Sequence, residues 1–515
     1  MSDGQRMASV ELGEGSVGWG DVVRVACHGA PLTLAAPCLS RLHRARAAVE
    51  AIADSDQAYY GINTGLGALC DVVLERDALS RLSRHTLMSH ACGVGEPLRR
   101  EQVRAIMCCA VVNYSHGHSG ISPGVVEALV GCLNAGITPV VPARGSVGYL
   151  THMAHIGLAL IGVGEVEVEG KRLAATLALD ACGLVPVTLG PKDGLSLVNG
   201  TPAMTGLACL ALDGASRLAD WADIIGAMSF DALRGQRDAL GADVAALKRH
   251  PGVATSARHL RRLLEGSAWL DHCHGDHLQD ALSLRSMPQV HGACRDQLDH
   301  AARQVDAELC AATDNPLVIE TEQGVRVVSQ ANPHGASVAL ACDALAMAVC
   351  EWGSISERRS YRLVTPQVSQ LPAFLTHEGG VKSGLMIAQY AAASLAADLK
   401  RLAQPAVTDN YLTSGLQEDH LSLGDSAALK LDRAVDTALR VLGIEYLLAA
   451  QAMDLIGARD FGVGTTLARR DLRERIAYYD EGHPLSEDME AAYRLISHPT
   501  RLETFAEFFQ GTPGR

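Results

Sequence analysis

Three long stretches rich in alanine and leucine limit what this chain can become: Ala203–Met228, residues 336–363, and the run that starts at Gly424. Their apolar residues return at helical spacing, and each stretch is far longer than a strand. Only 4% of the residues are aromatic although 48% are hydrophobic. Strands draw on aromatic and β-branched side chains, so this balance favours long helices packed against one another. Shorter helices are expected at Arg41–Ile52, Leu79–His90, Arg104–Gly120, Ser122–Ala135 and Thr151–Gly162, several of them stopped by glycine or proline. Val163–Leu173 alternates apolar and acidic residues, which predicts a short hairpin.

The net charge of −14 speaks against a general nucleic-acid or membrane-surface role. No apolar run reaches membrane-spanning length without Gly, His or a charge. Met1–Gly20 is polar, Gly-rich and partly acidic, unlike a secretory signal. The 14 cysteines are scattered, with no Cys-x-x-Cys spacing. They read as small buried residues in a reducing compartment, so a cytoplasmic location is expected.

Several short motifs carry chemistry. Gly145-Ser146-Val147-Gly148 is a glycine turn that runs through Tyr149 and Leu150 into an apolar segment reaching His155. Tyr59–Gly67 holds three glycines and reads as a sharply turned loop, without the Lys-Ser/Thr ending of a phosphate cradle. Ser89-His90 closes a helix before Gly93 and Pro97. Asn199 precedes Gly200 in a turn, and Arg285 ends Gln279–Arg285. Lys382 stands in Gly380–Gln389 at an apolar helix start, where burial is costly without a partner or a task. Two histidine clusters, His116/His118 and Asp271–His277, have no second ligand set, so no metal site is expected.

Taken in order over roughly residues 55–430, these stretches resemble the histidine and aromatic amino-acid ammonia-lyases. The resemblance implies a mainly α fold like that of histidine ammonia-lyase and fumarase: a long central helical bundle with a smaller mixed N-terminal region. It implies a homotetramer whose sites combine residues from several subunits. The corresponding division is a polar tail (1–20), an N-terminal active-site region (21–200), the bundle (201–460) and a C-terminal helical region (461–515). Tyr60 matches the family's catalytic base. Ser89-His90 matches the side-chain reader of members that act on histidine, and Glu418, in Gln417–His420, matches the ring contact. Asn199 and Asn315 (in Thr313–Pro316) match binding residues, and Arg285 matches the arginine that pairs with the substrate carboxylate.

The family forms a methylidene-imidazolone electrophile from Ala-Ser-Gly after Gly-Ser-Val-Gly, whereas here Tyr149 follows Gly148 directly. Leu282, Pro333 and Lys382 also depart from the family pattern. The resemblance therefore implies a lyase without that cofactor. An amine that leaves unaided points to a trimethylammonium betaine, and within the family the ergothionases fit this description. The expectation is elimination of trimethylamine from ergothioneine to give thiourocanate. Tyr60, Lys382 and Glu418 would be catalytic. Tyr149 would face the ammonium through a cation–π contact of ~0.5–2 kcal/mol. Histidine ammonia-lyase activity, giving urocanate and ammonia, and a non-catalytic homologue are the alternatives. An aminomutase is disfavoured because it needs the electrophile.

Overall fold

The computed structural model describes residues 8–13, 15–55, 57–66, 71–408 and 410–510. The first seven residues of the tail and Gly67 of the glycine loop lie outside that set. The fold is mainly helical, as expected. It divides into two units, one of residues 1–212, 301–343 and 405–429, the other of 213–300, 344–404 and 430–515. The boundaries near 212, 300, 343 and 429 fall within long helices: Pro202–Ala232, Met287–Leu309, Ala336–Val364 and Gly424–Ile456.

In the first unit, helix Arg100–Ser115 is buried along nearly its whole length. It carries a buried charge, Arg104, whose guanidinium donates to the carbonyls of Val25, Ala26 and Leu133 at 2.8–3.2 Å. Those carbonyls belong to the last turns of helices Trp19–Cys27 and Pro123–Asn134. Helix ends leave carbonyls unpaired, so one buried arginine satisfies three of them at two helix ends. The predicted hairpin appears as Glu165–Val168 paired antiparallel with Lys171–Ala174. A second hairpin, Leu317–Thr321 with Gly324–Val328, follows the loop of Asn315.

The second unit concentrates the scarce aromatics. Trp221 meets Tyr446 and Phe505 at ring-centre distances of 5.6 and 5.4 Å, and all three are fully buried. Beside them runs a buried polar network. Asp223 accepts from Arg295, His291 and His259 at 2.6, 2.8 and 3.0 Å. Arg359 holds both oxygens of Glu445 at 2.6 and 2.9 Å. Asp223, Arg295, Arg359 and Glu445 thus each face an oppositely charged partner.

Two stretches, Asp193–Ala232 and Ala336–Val364, are long and apolar enough to cross a bilayer, but 94% and 72% of their most apolar windows are buried inside the protein. They are core helices, apolar because protein surrounds them.

Candidate active site

Tyr60 lies in a turn closed by Asn63, whose Oδ1 accepts from the Tyr59 amide at 2.8 Å while its Nδ2 donates to the Gln57 carbonyl at 2.9 Å. Gly61 has φ +66°, and a Cβ there would fall 2.3 Å from Leu195 Cδ2. Glycine therefore lets this loop lie directly on helix Asp193–Val198.

His90 ends helix Arg76–His90, and its Nδ1 meets the Thr86 carbonyl at 2.8 Å and Ser89 Oγ at 3.0 Å. The carbonyl can only accept, so Nδ1 carries the proton. Burial pushes the ring's pKa down, partly offset by that carbonyl. The His90 ring is therefore neutral at neutral pH.

The turn from Gly145 to Leu150 is held from two sides. Gly148 has φ +126°, and a Cβ there would sit 2.1 Å from Ser422 Oγ. Leu150 is left-handed, with φ 77° and ψ −65°, and its amide donates to the Val198 carbonyl at 2.9 Å. Such a backbone at a non-glycine residue costs about 1–3 kcal/mol and persists only where its surroundings over-determine it. Here the surroundings are the stretch 413–425. Leu423 donates its amide to the Val147 carbonyl at 2.9 Å, and Ser146 donates to Asp425. The Tyr149 hydroxyl donates to Glu418 Oε2 at 2.9 Å. Burial first, then the Glu418 charge, raises the Tyr149 pKa far above the ordinary phenol value, so the phenol stays protonated and keeps donating.

Asp425 also accepts from His152 Nδ1 at 3.1 Å, while His152 Nε2 faces the Ala143 carbonyl at 3.2 Å. Both partners are acceptors, which suits the imidazolium. Burial opposes that charge, but the hydrogen bond and charge of Asp425 outweigh it and raise the His152 pKa.

Glu418 stands on a tight loop. Its amide and carbonyl pair with Thr413 at 3.3 and 2.9 Å, and Ser414, Gly415 and Leu416 between them all have positive φ. Two residues on, His420 Nδ1 meets His334 Nε2 at 3.2 Å. The opposite wall is made by Asn199, whose Nδ2 donates to the Asn315 carbonyl at 2.7 Å. Behind that wall a dry ion pair joins Lys192 Nζ to Asp314 Oδ2 at 2.6 Å. Burial lowers the Lys192 pKa, and Asp314 opposes the shift.

Tyr60, His90, Tyr149, Asn199, Asn315 and Glu418 thus line one cleft of about 950 Å³, all within the first unit. Ser89 touches it through His90. Arg285 and Lys382 belong to the second unit. Arg285 Nε donates to the Asp280 carbonyl at 2.9 Å. Lys382 Nζ pairs with Glu378 at 3.2 Å within its own loop. In the Asp271–His277 segment, His277 is held by Asp280 at 2.6 Å. Sequence reasoning missed Asp425, His152 and the Lys192–Asp314 pair. Asp425 lies 279 residues from Ser146, and no local pattern marks it. Lys192, inside Gly190–Gly194, was the one visible signal: a lone cation before an apolar run.

The chain matches the aromatic amino acid lyase family over residues 17–474. It is 46% identical to a histidine ammonia-lyase of Symbiobacterium thermophilum, over 95% of this chain and 97% of that one. Among solved structures, it superposes on histidine ammonia-lyase from Trypanosoma cruzi with a TM-score of 0.89 at 33% identity, covering 98% and 97% of the two chains. It superposes on the ergothioneine-degrading enzyme ergothionase from Treponema denticola with a TM-score of 0.90 at 30% identity, covering 96% and 99%. Further relatives named histidine ammonia-lyase are 38–44% identical over most of the chain. These relatives overturn the expected elimination of trimethylamine from ergothioneine, and the betaine substrate goes with it. The two substrate classes share an imidazole ring. The motifs around His90 and Glu418 concern the ring and cannot choose between the amines attached beyond it.

Proposed function

Because the chain belongs to the aromatic amino acid lyase family, and so to the carbon–nitrogen lyases, we propose that it removes the α-nitrogen of histidine as ammonia and forms urocanate. The observation that supports this reading is the convergence of Tyr60, His90, Asn199 and Glu418 on one cleft. The relatives named histidine ammonia-lyase supply the substrate.

We propose further that the reaction proceeds without a methylidene-imidazolone. The residues after Gly148 do not fit that group. No Ala-Ser-Gly follows Gly148. Tyr149 stands next in the turn with its hydroxyl committed to Glu418, and Leu150 already carries the backbone strain. The steps therefore fall to this chain's own side chains. Tyr60, as phenolate, takes the Cβ proton. The electron pair left at Cβ forms the Cα–Cβ double bond, and the Cα–N bond breaks. The substrate ammonium departs with that bond's pair as neutral ammonia, and Tyr60 returns its proton to water. Glu418 accepts from a ring N–H, so the imidazole can spread the charge that develops at Cβ. His90 and Asn199 orient the substrate, with Ser89 and Asn315 behind them.

The homotetramer implied by the family resemblance would combine residues of more than one copy in each site, with Arg285 at the substrate carboxylate and Lys382 at the ring. A cytoplasmic setting accords with this use of a free amino acid. The test is incubation of the purified protein with histidine, following urocanate by ultraviolet absorbance and ammonia by a coupled assay. Stoichiometric urocanate and ammonia are expected. No ammonia, or release of any other amine from an imidazole-bearing acid, would overturn the reading.

A further inference from the structure

We propose that Tyr149 is a positioning residue that fixes one oxygen of Glu418 and so makes the cleft select a ring bearing an N–H donor. The proposal deepens the lyase reading and takes its imidazole substrate from that reading. Three contacts tie the turn of residues 146–149 to the stretch 418–425: Ser146 with Asp425, Val147 with Leu423, and Tyr149 with Glu418. The second joins the two backbones. The first and third are side-chain links, the third made at 2.9 Å to Oε2 of Glu418. The Tyr149 carbonyl lies 3.0 Å from Ser146 Oγ and shares that hydroxyl's one proton with Asp425.

The backbone of Glu418 is fixed by pairing with Thr413 across a loop of three left-handed residues, and its carboxylate is held through the Tyr149 hydroxyl. A carboxylate has two oxygens and only accepts when ionised. With Oε2 occupied by a phenol that does not ionise near neutral pH, Oε1 is the oxygen left for the substrate, and it asks for a donor. Imidazole offers an N–H and phenyl does not. A phenyl ring would leave that oxygen desolvated and unpaired, which is how a site built for a hydrogen bond rejects an analogue lacking it.

The experiment uses the full-length protein and two unreactive probes, imidazole-4-propionate and 3-phenylpropionate, titrated calorimetrically. Wild type is expected to prefer the imidazole probe by about tenfold or more. Tyr149→Phe and Glu418→Gln should each remove most of that preference, and the double variant should lose no more than either alone. A merely structural loss would lower the amount of folded protein without moving the ratio of the two affinities. Unchanged ring preference in Tyr149→Phe, or strictly additive effects in the double variant, would overturn the proposal. Wild type that binds the imidazole probe but releases no ammonia from histidine would refute the lyase reading while leaving this pairing standing.

Discussion

In the proposed reaction Tyr60 carries the proton transfer, so removing its hydroxyl would separate chemistry from binding. Tyr60→Phe should lower kcat on histidine by about a hundred- to ten-thousand-fold. The affinity for imidazole-4-propionate should stay near that of wild type, measured by calorimetry; a parallel loss of binding would make Tyr60 a packing residue instead. Gly148 is required for a different reason. Its φ is +126°, and an added Cβ would fall 2.1 Å from Ser422 Oγ, so Gly148→Ala strains the turn whatever the neighbours do. A loss of about 1–3 kcal/mol is expected in denaturant unfolding, with activity falling as the Tyr149–Glu418 contact loosens. The residues legible in the sequence, among them Tyr60, His90 and Asn199, each sit in a short local pattern. Asp425 could not be read in that way. Its work is to hold Ser146 and His152, and three-dimensional closure alone brings it to them.

At the scale of elements, the His152–Asp425 pair makes the turn sensitive to pH. The folded His152 pKa is raised above its unfolded value. Its stabilising contribution is therefore fully present below the unfolded pKa, near 6.5, and is lost as pH rises through the higher folded value. Wild type should exceed His152→Gln in Tm at about pH 6, and the gap should narrow as the pH is raised toward 9. A gap that widens with pH would show that the ring is neutral in the fold. Helices were legible because their apolar spacing is local: Leu79–His90 was expected and Arg76–His90 is found, and Ala203–Met228 becomes Pro202–Ala232. The helix expected to run to Gly120 stops at Ser115 because Gly117 and Gly120 take φ +77° and +71°. The strands Leu317–Thr321 and Gly324–Val328 were not legible, since only five residues in each pair and half of them stay exposed.

At the scale of the whole molecule, the mainly helical character and the lyase family could be read from the sequence, because composition and ordered motifs span most of the chain. The choice of leaving amine could not. The motifs that resemble the family are local side-chain patterns, and none of them marks the amine. Sequence alone therefore placed too much weight on the absent Ala-Ser-Gly. The relatives named histidine ammonia-lyase make histidine the better-supported substrate. The proposal that joins both observations is a histidine lyase that works without an electrophile. The most direct test is turnover of histidine by protein pretreated with sodium borohydride, which reduces an electrophilic methylidene group, alongside intact mass of the untreated chain. The account predicts ammonia release at the untreated rate and the mass of the unmodified sequence. Loss of activity on reduction, or a mass short by the two waters that cyclisation expels, would contradict it.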